Sequence, residues 1–361
     1  MMQTDKLYTE HLLWDKLSHS KKHQMRGNIV KTTSITVMNL CVPCENRCRY
    51  CLLSYDGKTN GVDYKRSEIY AKRFYEWIKA NRPDLSFMFG FGYSMEHPNL
   101  LDAIDFCRSI GSVTGEFLQF DGMKFRSKAE IEQLLLNIQR HGIKLIDLTF
   151  YGAEAYHDRF AAREGDFRLM MDTLEQANKI GLDVSVSIPL THENASQADE
   201  LLRQITQHHT KQISCFVPHS EGRGRLLDKI RFSANDYDLL SGEAKSYFNS
   251  SRFKIEREWL QSQFPITNHR ALTITLTPKN IDFFEEMDFG QAIHHLEQLD
   301  DAYYHSIPDP EELVKMYGDP HGRQYYSARD LQFKYQRKYI ADNHINVYDI
   351  HDERQCFVRR F

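Results

Sequence analysis

The sequence predicts an α/β fold built around a parallel sheet. Six strand-like segments alternate with helical segments from residue 33 to residue 217. Several strands are nearly continuous runs of apolar and β-branched residues, such as 144–150 and 182–188, as expected where helices cover a parallel sheet. The alternation ends near Pro218, which indicates a different architecture in the rest of the chain.

Each strand is predicted from an apolar or β-branched run, and each helix from apolar residues at helical spacing. The predicted strands cover 33–40, 85–91, 115–120, 144–150, 182–188 and 212–217. The intervening helices are predicted at 67–80, 99–110, 127–140, 166–180 and 196–208. Further elements are a helix at about 6–24, an isolated strand at 272–276, and polar helices near 289–304 and 327–341. We therefore divide the chain into an N-terminal helical extension (1–32), a β/α domain (33–225) and a C-terminal region (226–361) that packs on that domain and covers the substrate.

The composition excludes several classes of protein. The chain carries 46 basic and 50 acidic residues, a formal net charge of -4, so no overall field attracts nucleic acid or an anionic membrane. Its N-terminus lacks the apolar run of a secretory signal, and no segment approaches the roughly 20 apolar residues of a membrane span. We expect a cytoplasmic protein that binds neither membranes nor nucleic acid.

Four of the seven cysteines lie between positions 41 and 51, directly after the first predicted strand. In a reducing compartment such clustered thiols bind metal or carry redox chemistry more often than they form disulfides. A zinc site would use all four, but structural zinc usually joins two cysteine pairs across a longer loop than the three residues between Cys44 and Cys48.

The alternative is an iron–sulfur site. Cys44, Cys48 and Cys51 have the spacing C-x3-C-x2-C, and three thiolates can cap three irons of a 4Fe–4S cluster while the fourth iron stays open. Cys41 then belongs to the end of the strand and is interpreted as a buried thiol. The spacing favours the cluster over zinc.

The cysteine segment resembles the hallmark of the radical S-adenosylmethionine (SAM) superfamily, C-x3-C-x-aromatic-C, which Cys44, Cys48, Tyr50 and Cys51 reproduce. The resemblance implies a partial (βα)6 TIM-like barrel with a C-terminal α+β extension. It also implies a 4Fe–4S cluster whose open iron binds SAM, reductive cleavage of SAM to a 5′-deoxyadenosyl radical, and a flavodoxin- or ferredoxin-type electron donor. By the same resemblance, Tyr50 packs by the adenine of SAM.

The resemblance continues at the ends of later strands. Gly90, Gly92 and Tyr93 lie where the family carries a glycine-rich stretch, and glycine lets the backbone approach the methionine part of SAM. Tyr93 stands where an acidic residue is usual, which leaves Glu96 as an alternative. Further cofactor contacts are implied for three strand-end residues: Gln119, Thr149 and Ser187.

At the barrel mouth we predict Tyr151 and Arg223 as residues that meet the substrate, with Arg223 binding an anion. Cys356 is the predicted hydrogen-atom donor to a product radical, with Cys107 and Cys215 as alternatives. Other residues that could reach the substrate are Asp121, His157, His192 and His219.

Three functions remain open from the sequence. The first is hydrogen abstraction from a small polar metabolite such as a sugar, nucleoside or amino-acid derivative. The second is modification of a ribosomally made peptide by epimerisation or crosslinking; the roughly 30 residues before the first strand are short for a leader-binding domain, which favours the small molecule. The third is a zinc-binding or electron-transfer protein.

Overall fold

A computed structural model of the chain describes residues 31–39, 44–51, 62–91, 95–220, 222–262 and 269–347. The helix predicted at about 6–24 lies outside these residues. The strands are β1 (Lys31–Asn39), β2 (Ser86–Phe91), β3 (Phe117–Gln119), β4 (Leu145–Thr149), β5 (Asp183–Pro189), β6 (Gln212–Phe216), β7 (Phe253–Ile255), β8 (His269–Leu276) and β9 (Tyr325–Ser327). The helices are α1 (Tyr64–Asn81), α2 (Leu100–Ser109), α3 (Lys128–Arg140), α4 (Glu154–Ala161), α5 (Asp166–Lys179), α6 (Ala198–Ile205), α7 (Ala234–Leu239), α8 (Gly242–Tyr247), α9 (Glu256–Gln261), α10 (Ile281–Glu286), α11 (Phe289–His305), α12 (Pro310–Tyr317) and α13 (Ala328–Asp342).

The predicted α/β class is confirmed. Strands β3, β4, β5 and β6 form one parallel sheet in sequence order, and β2, β1 and β8 form a second parallel sheet. The chain passes from the sheet of β1 and β2 to the other sheet between β2 and β3. The arrangement is a partial TIM-like barrel that does not close. All six predicted strands and the five helices between them are present within a few residues of their expected bounds.

Strand β8 belongs to the C-terminal region of the sequence but lies in the barrel sheet. The sequence predicted it as an isolated strand at 272–276, whereas it pairs in parallel with β1 along that strand's length. An ion pair between the buried side chains of Arg270 and Asp300 ties β8 to α11, and Thr32 of β1 donates a hydrogen bond to Glu297 of the same helix. The C-terminal region therefore completes the sheet around β1 as well as packing on it.

Side chains alternate between the two faces of each barrel strand. On β2, Phe87 and Phe89 point outward, where their rings contact Phe74 of α1 and Phe106 of α2. Burial of side chains of this size stabilises the fold by about 1.5–3 kcal/mol each. The opposite face of the strands lines the barrel interior and, on β4 and β5, is polar.

The C-terminal region also forms a small module of its own. Strands β7 and β9 pair antiparallel, and a separate apolar cluster packs beside them: Trp259, Leu313, Tyr326, Leu331 and Tyr335. The buried Asp330 of α13 accepts hydrogen bonds from His219 and from the amide of Ser220, which follow β6. The module is thereby anchored at the carboxyl end of a barrel strand. Among the described residues, no helix combines the length and apolar character that crossing a membrane requires.

Candidate active site

The cysteine loop, residues 44–51, lies at the carboxyl ends of the barrel strands. Backbone hydrogen bonds of 2.8–3.1 Å join it to the loops after β3 and β6 and to the end of α4. The bonded pairs are Glu45 N to Gly122 O, Arg47 N to Ala161 O, Arg49 N to Phe160 O, and Arg223 N to Cys51 O. Three separate parts of the barrel thus fix the position of the loop.

The three thiols of this loop are half-buried neighbours. Burial raises the pKa of Cys44 to about 11. Burial also raises the pKa of Cys48, and the nearby Cys44 and Cys51 raise it further, although a hydrogen bond with Tyr151 opposes the shift. Since a bound iron stabilises the thiolate form, cluster binding would offset this cost of deprotonation.

The residues around the thiols fit a polynuclear cluster. Gly122 faces Cys44 so closely that a Cβ at this position would overlap with the Cys44 sulfur. Within the described ranges, no three Cys, His, Asp or Glu side chains are placed to bind a single metal ion. The lack of a side chain at Gly122 leaves space beside the Cys44 sulfur, and three thiolates on one loop are the donor set of a 4Fe–4S cluster with one open iron. Cys41 lies outside the described residues.

A buried polar network links the cysteine loop to the loop after β4. Asn46 donates to Asp166 at 3.0 Å, and His157 Nε2 lies 3.1 Å from the same carboxylate. Arg163 also contacts Asp166 and Asn46. The amide of Tyr151 donates to His157 Nδ1, so the neutral ring carries its proton on Nε2 and donates to Asp166. His157 is fully buried and serves this network rather than the substrate.

Two carboxylates occupy the barrel interior beside the cysteine loop. Asp121 accepts hydrogen bonds from the amide and hydroxyl of Thr149, and Asp147 accepts from Ser185 and Ser187. Burial, reinforced by the neighbouring Asp147, raises the pKa of Asp121 to about 7, and burial raises the pKa of Asp147 to about 6. Thr149 and Ser187, whose hydroxyls were predicted to contact SAM, therefore donate to these carboxylates. The hydroxyls and the carboxylates lie together in the barrel interior.

The glycine-rich stretch is only partly described. Gly90 lies on the interior face of β2, where an added Cβ would be 3.5 Å from the Met38 side chain, an ordinary contact. The protein packing itself therefore does not demand glycine at this position. Gly92 and Tyr93 lie outside the described residues, and Gln119 at the end of β3 is exposed.

Glu96, the alternative acidic residue of the glycine-rich stretch, forms an ion pair with Arg126. Both of its oxygens bind the guanidinium of Arg126, and Oε1 also accepts from the amide of Lys124. Burial opposes ionisation, but these hydrogen bonds outweigh it and lower the pKa of Glu96. The pair connects the loop after β2 to the loop after β3, where the two sheets share no strand pairing among the described residues. Glu96 thus stabilises the barrel, and its place as an alternative to the usual acidic residue stays a prediction.

Of the residues predicted to meet the substrate or to donate a hydrogen atom, some lie at the cysteine loop and others lie away from it. Tyr151 is buried at the cysteine loop with its hydroxyl 3.1 Å from Cys48 Sγ. Arg223 lies beside Cys51 through its backbone, and its side chain has no bonded partner among the described residues. Cys107 and Cys215 are fully buried on the helix-covered side of the sheet, away from the barrel interior. Cys356 lies outside the described residues.

The other two histidines that the sequence placed near the substrate, His192 and His219, pair with carboxylates. His192 contacts Asp236 at 2.6 Å and is mostly exposed. His219 follows β6 and lies 3.0 Å from Asp330. Both pairs connect strand-end loops to the C-terminal region, which the sequence could not reveal because the partners are distant in the chain.

Fold and site together define a barrel with a three-thiol loop at the carboxyl ends of its strands, the position where barrel enzymes carry their active sites. The sequence profile of the Radical SAM superfamily matches residues 38–205, which include this loop. Residues 38–205 therefore form a radical SAM domain, which indicates an enzyme of the radical SAM class. Such a domain implies SAM and a 4Fe–4S cluster as cofactors.

Solved structures of radical SAM enzymes are distantly similar. SuiB from Streptococcus suis, bound to S-adenosylmethionine, shares 10% identity at a TM-score of 0.45 over 74% of this chain and 60% of SuiB. Coproporphyrinogen III oxidase (HemN) from Escherichia coli shares 12% identity at a TM-score of 0.43 over 89% of this chain and 92% of HemN. No curated protein sequence matches the chain.

Proposed function

We propose that this enzyme cleaves SAM reductively on a 4Fe–4S cluster bound by Cys44, Cys48 and Cys51, and that the radical abstracts hydrogen from a small polar metabolite. The observation that carries the proposal is the convergence of these three thiols at the strand ends, directly beside a polar barrel interior. The cluster, when bound and reduced, supplies the electron that splits SAM into methionine and a 5′-deoxyadenosyl radical.

The barrel interior supports a polar substrate. Asp121 and Asp147 offer carboxylate oxygens, which accept hydrogen bonds from hydroxyl or ammonium groups. Thr149, Ser185 and Ser187 orient these carboxylates from within the protein. Sugars, nucleosides and amino-acid derivatives carry such donors, and each carboxylate has lone pairs beyond those that accept from these hydroxyls.

The C-terminal region supports a small substrate. The segment Gly222–Ile230 follows β6 and contacts the cysteine loop through Arg223, and α13 holds the preceding residues through Asp330. These elements cover part of the strand-end side of the barrel. Because the Arg223 side chain has no bonded partner among the described residues, we assign it to a carboxylate or phosphate of the substrate. Cys356 stays a predicted hydrogen-atom donor.

The surface around the cysteine loop suits an acidic electron donor of the flavodoxin or ferredoxin type. Arg47 and Arg49 lie on the loop and bond through their backbones to the end of α4, where Arg159 is exposed. Arg49 also pairs with Glu193, and the exposed Glu45 lies on the same loop, so these three arginines and two glutamates carry a net charge of +1. Such a patch would raise the rate of encounter with an anionic protein at low salt.

The test is anaerobic reconstitution with iron and sulfide, followed by reduction with dithionite in the presence of SAM. We expect the wild type to form 5′-deoxyadenosine and Cys48→Ala to form none above background. Cys215→Ala is the matched control, because this thiol is fully buried on the far side of β6 and should be dispensable for SAM cleavage. Cleavage by the Cys48 variant, or a colourless wild type that binds only zinc, would contradict the proposal.

A further inference from the structure

The Tyr151 hydroxyl lies 3.1 Å from the sulfur of Cys48. The Tyr151 side chain is only 3% exposed. A thiolate carries no proton and a tyrosine hydroxyl carries one, so the tyrosine is the donor when the sulfur is a thiolate.

The ring of Tyr151 is held independently of its hydroxyl. It stacks on Phe160 with ring centroids 4.7 Å apart and meets the edge of Tyr50 at 5.7 Å. Tyr151 and Phe160 belong to a small apolar cluster that also includes Leu227, from the segment after β6. A phenylalanine at position 151 would preserve these contacts and remove only the oxygen.

The backbone on either side of the contact is fixed by one buried carboxylate. The amide of Tyr151 donates to His157, whose ring donates to Asp166. Asn46, two residues before Cys48, donates to the same carboxylate oxygen at 3.0 Å. In addition, Asn194 donates to the Tyr151 carbonyl at 2.7 Å. The hydroxyl and the thiol are thus brought together by a rigid frame rather than by chance contact of mobile side chains.

We infer that Tyr151 donates an O–H···S hydrogen bond to the Cys48 thiolate and thereby raises the reduction potential of the cluster. This inference rests on the proposed function and gives Tyr151 a role towards the cluster, while its predicted contact with the substrate stays a prediction. Reduction adds one negative charge to the cluster and its thiolates. A donor aimed at a ligand sulfur stabilises the reduced form more than the oxidised form, and such hydrogen bonds tune cluster potentials.

The experiment compares the midpoint potentials of reconstituted wild type, Tyr151→Phe and Tyr156→Phe, by redox titration followed with electron paramagnetic resonance. Tyr156 is the matched control: its ring lies 5.8 Å from that of Phe160, but its hydroxyl bonds to Thr191 and Glu193. We expect Tyr151→Phe to have a more negative midpoint potential and altered g-values at unchanged iron content. Tyr156→Phe should match the wild type.

A second variant keeps the inference testable if Tyr151→Phe fails to hold the cluster. Replacement of Tyr151 by 3-fluorotyrosine keeps the ring and makes the hydroxyl more acidic, so a more positive potential is expected. Unchanged potentials in the variants that do bind the cluster would overturn the inference while leaving the proposed function intact. A wild type that binds no cluster would instead contradict the proposed function itself.

Discussion

Replacement of Gly122 by alanine should remove the cluster with only a moderate loss of stability. Gly122 follows β3 with φ of 71°, and its carbonyl accepts the amide of Glu45 at 2.9 Å. An added Cβ would overlap with the sulfur of Cys44. The substitution therefore strains the backbone and displaces one predicted cluster ligand at the same time.

The loss of stability in Gly122→Ala can be estimated from the backbone strain and the steric overlap. A non-glycine residue in the left-handed region costs about 1–2 kcal/mol. Forcing an extra methyl group into a packed site costs about 1–3 kcal/mol. The sum, about 2–5 kcal/mol, is below or near the lower end of the 5–15 kcal/mol that typically separates folded from unfolded domains. Most of the chain should stay folded, whereas the Cys44 sulfur cannot keep its place.

The assay measures iron bound per chain after anaerobic reconstitution, together with urea unfolding. Gly181→Ala is the matched control, because Gly181 has the same φ of 71° but no atom within 4 Å of an added Cβ. It should lose about 1–2 kcal/mol of stability and keep its iron. Equal iron contents in the Gly122 and Gly181 variants would refute the assignment of Cys44 to the cluster in this geometry.

Two further substitutions test the framework of the site. Glu96→Gln should destabilise the fold by about 1–3 kcal/mol at pH 7, since it breaks a charge-assisted bond to Arg126. Hydrogen bonds lower the folded-state pKa of Glu96, so its contribution to stability is complete above the unfolded pKa of about 4.3 and is lost as the pH falls through the folded pKa. The difference in free energy of unfolding between wild type and variant, measured with urea, should therefore shrink on acidification. A difference that does not change with pH would count against the ion pair. Asp330→Asn should cost about 3–5 kcal/mol, because His219 and the Ser220 amide lose a buried carboxylate, whereas the partly exposed Asp342→Asn should change stability by less than about 0.5 kcal/mol. Equal urea midpoints for these two variants would show that the anchor at Asp330 is dispensable.

Local sequence patterns were sufficient to predict six strands and five helices of the barrel. The strand predicted at 144–150 is β4 at Leu145–Thr149, and the helix predicted near 289–304 is α11 at Phe289–His305. Helix α4 was missed. It has only eight residues, begins five residues after β4 and has no side-chain N-cap, so neither length nor capping distinguished it from a loop.

The side-chain partners in the site could not be predicted in the same way. Alternation along β4 does place Asp147 and Thr149 on one face, and this signal could have identified Asp147 as an interior residue. Its bonds to Ser185 and Ser187, however, depend on the register between β4 and β5. The pairing of Glu96 with Arg126 depends on two loops from different sheets. Local periodicity contains no information on either.

Strand β8 shows most clearly how such distant pairing determines the site. Its own sequence predicted a strand but no neighbour, and the structure places it against β1, the strand that leads directly into the cysteine loop. β1 is therefore bonded on one side to β2, which follows that loop, and on the other to β8 of the C-terminal region. Since β1 lies between two parallel neighbours, the cysteine loop starts from an internal strand rather than from a sheet edge. The C-terminal region, which the sequence assigned to covering the substrate, thus also holds the strand on which the three thiols depend.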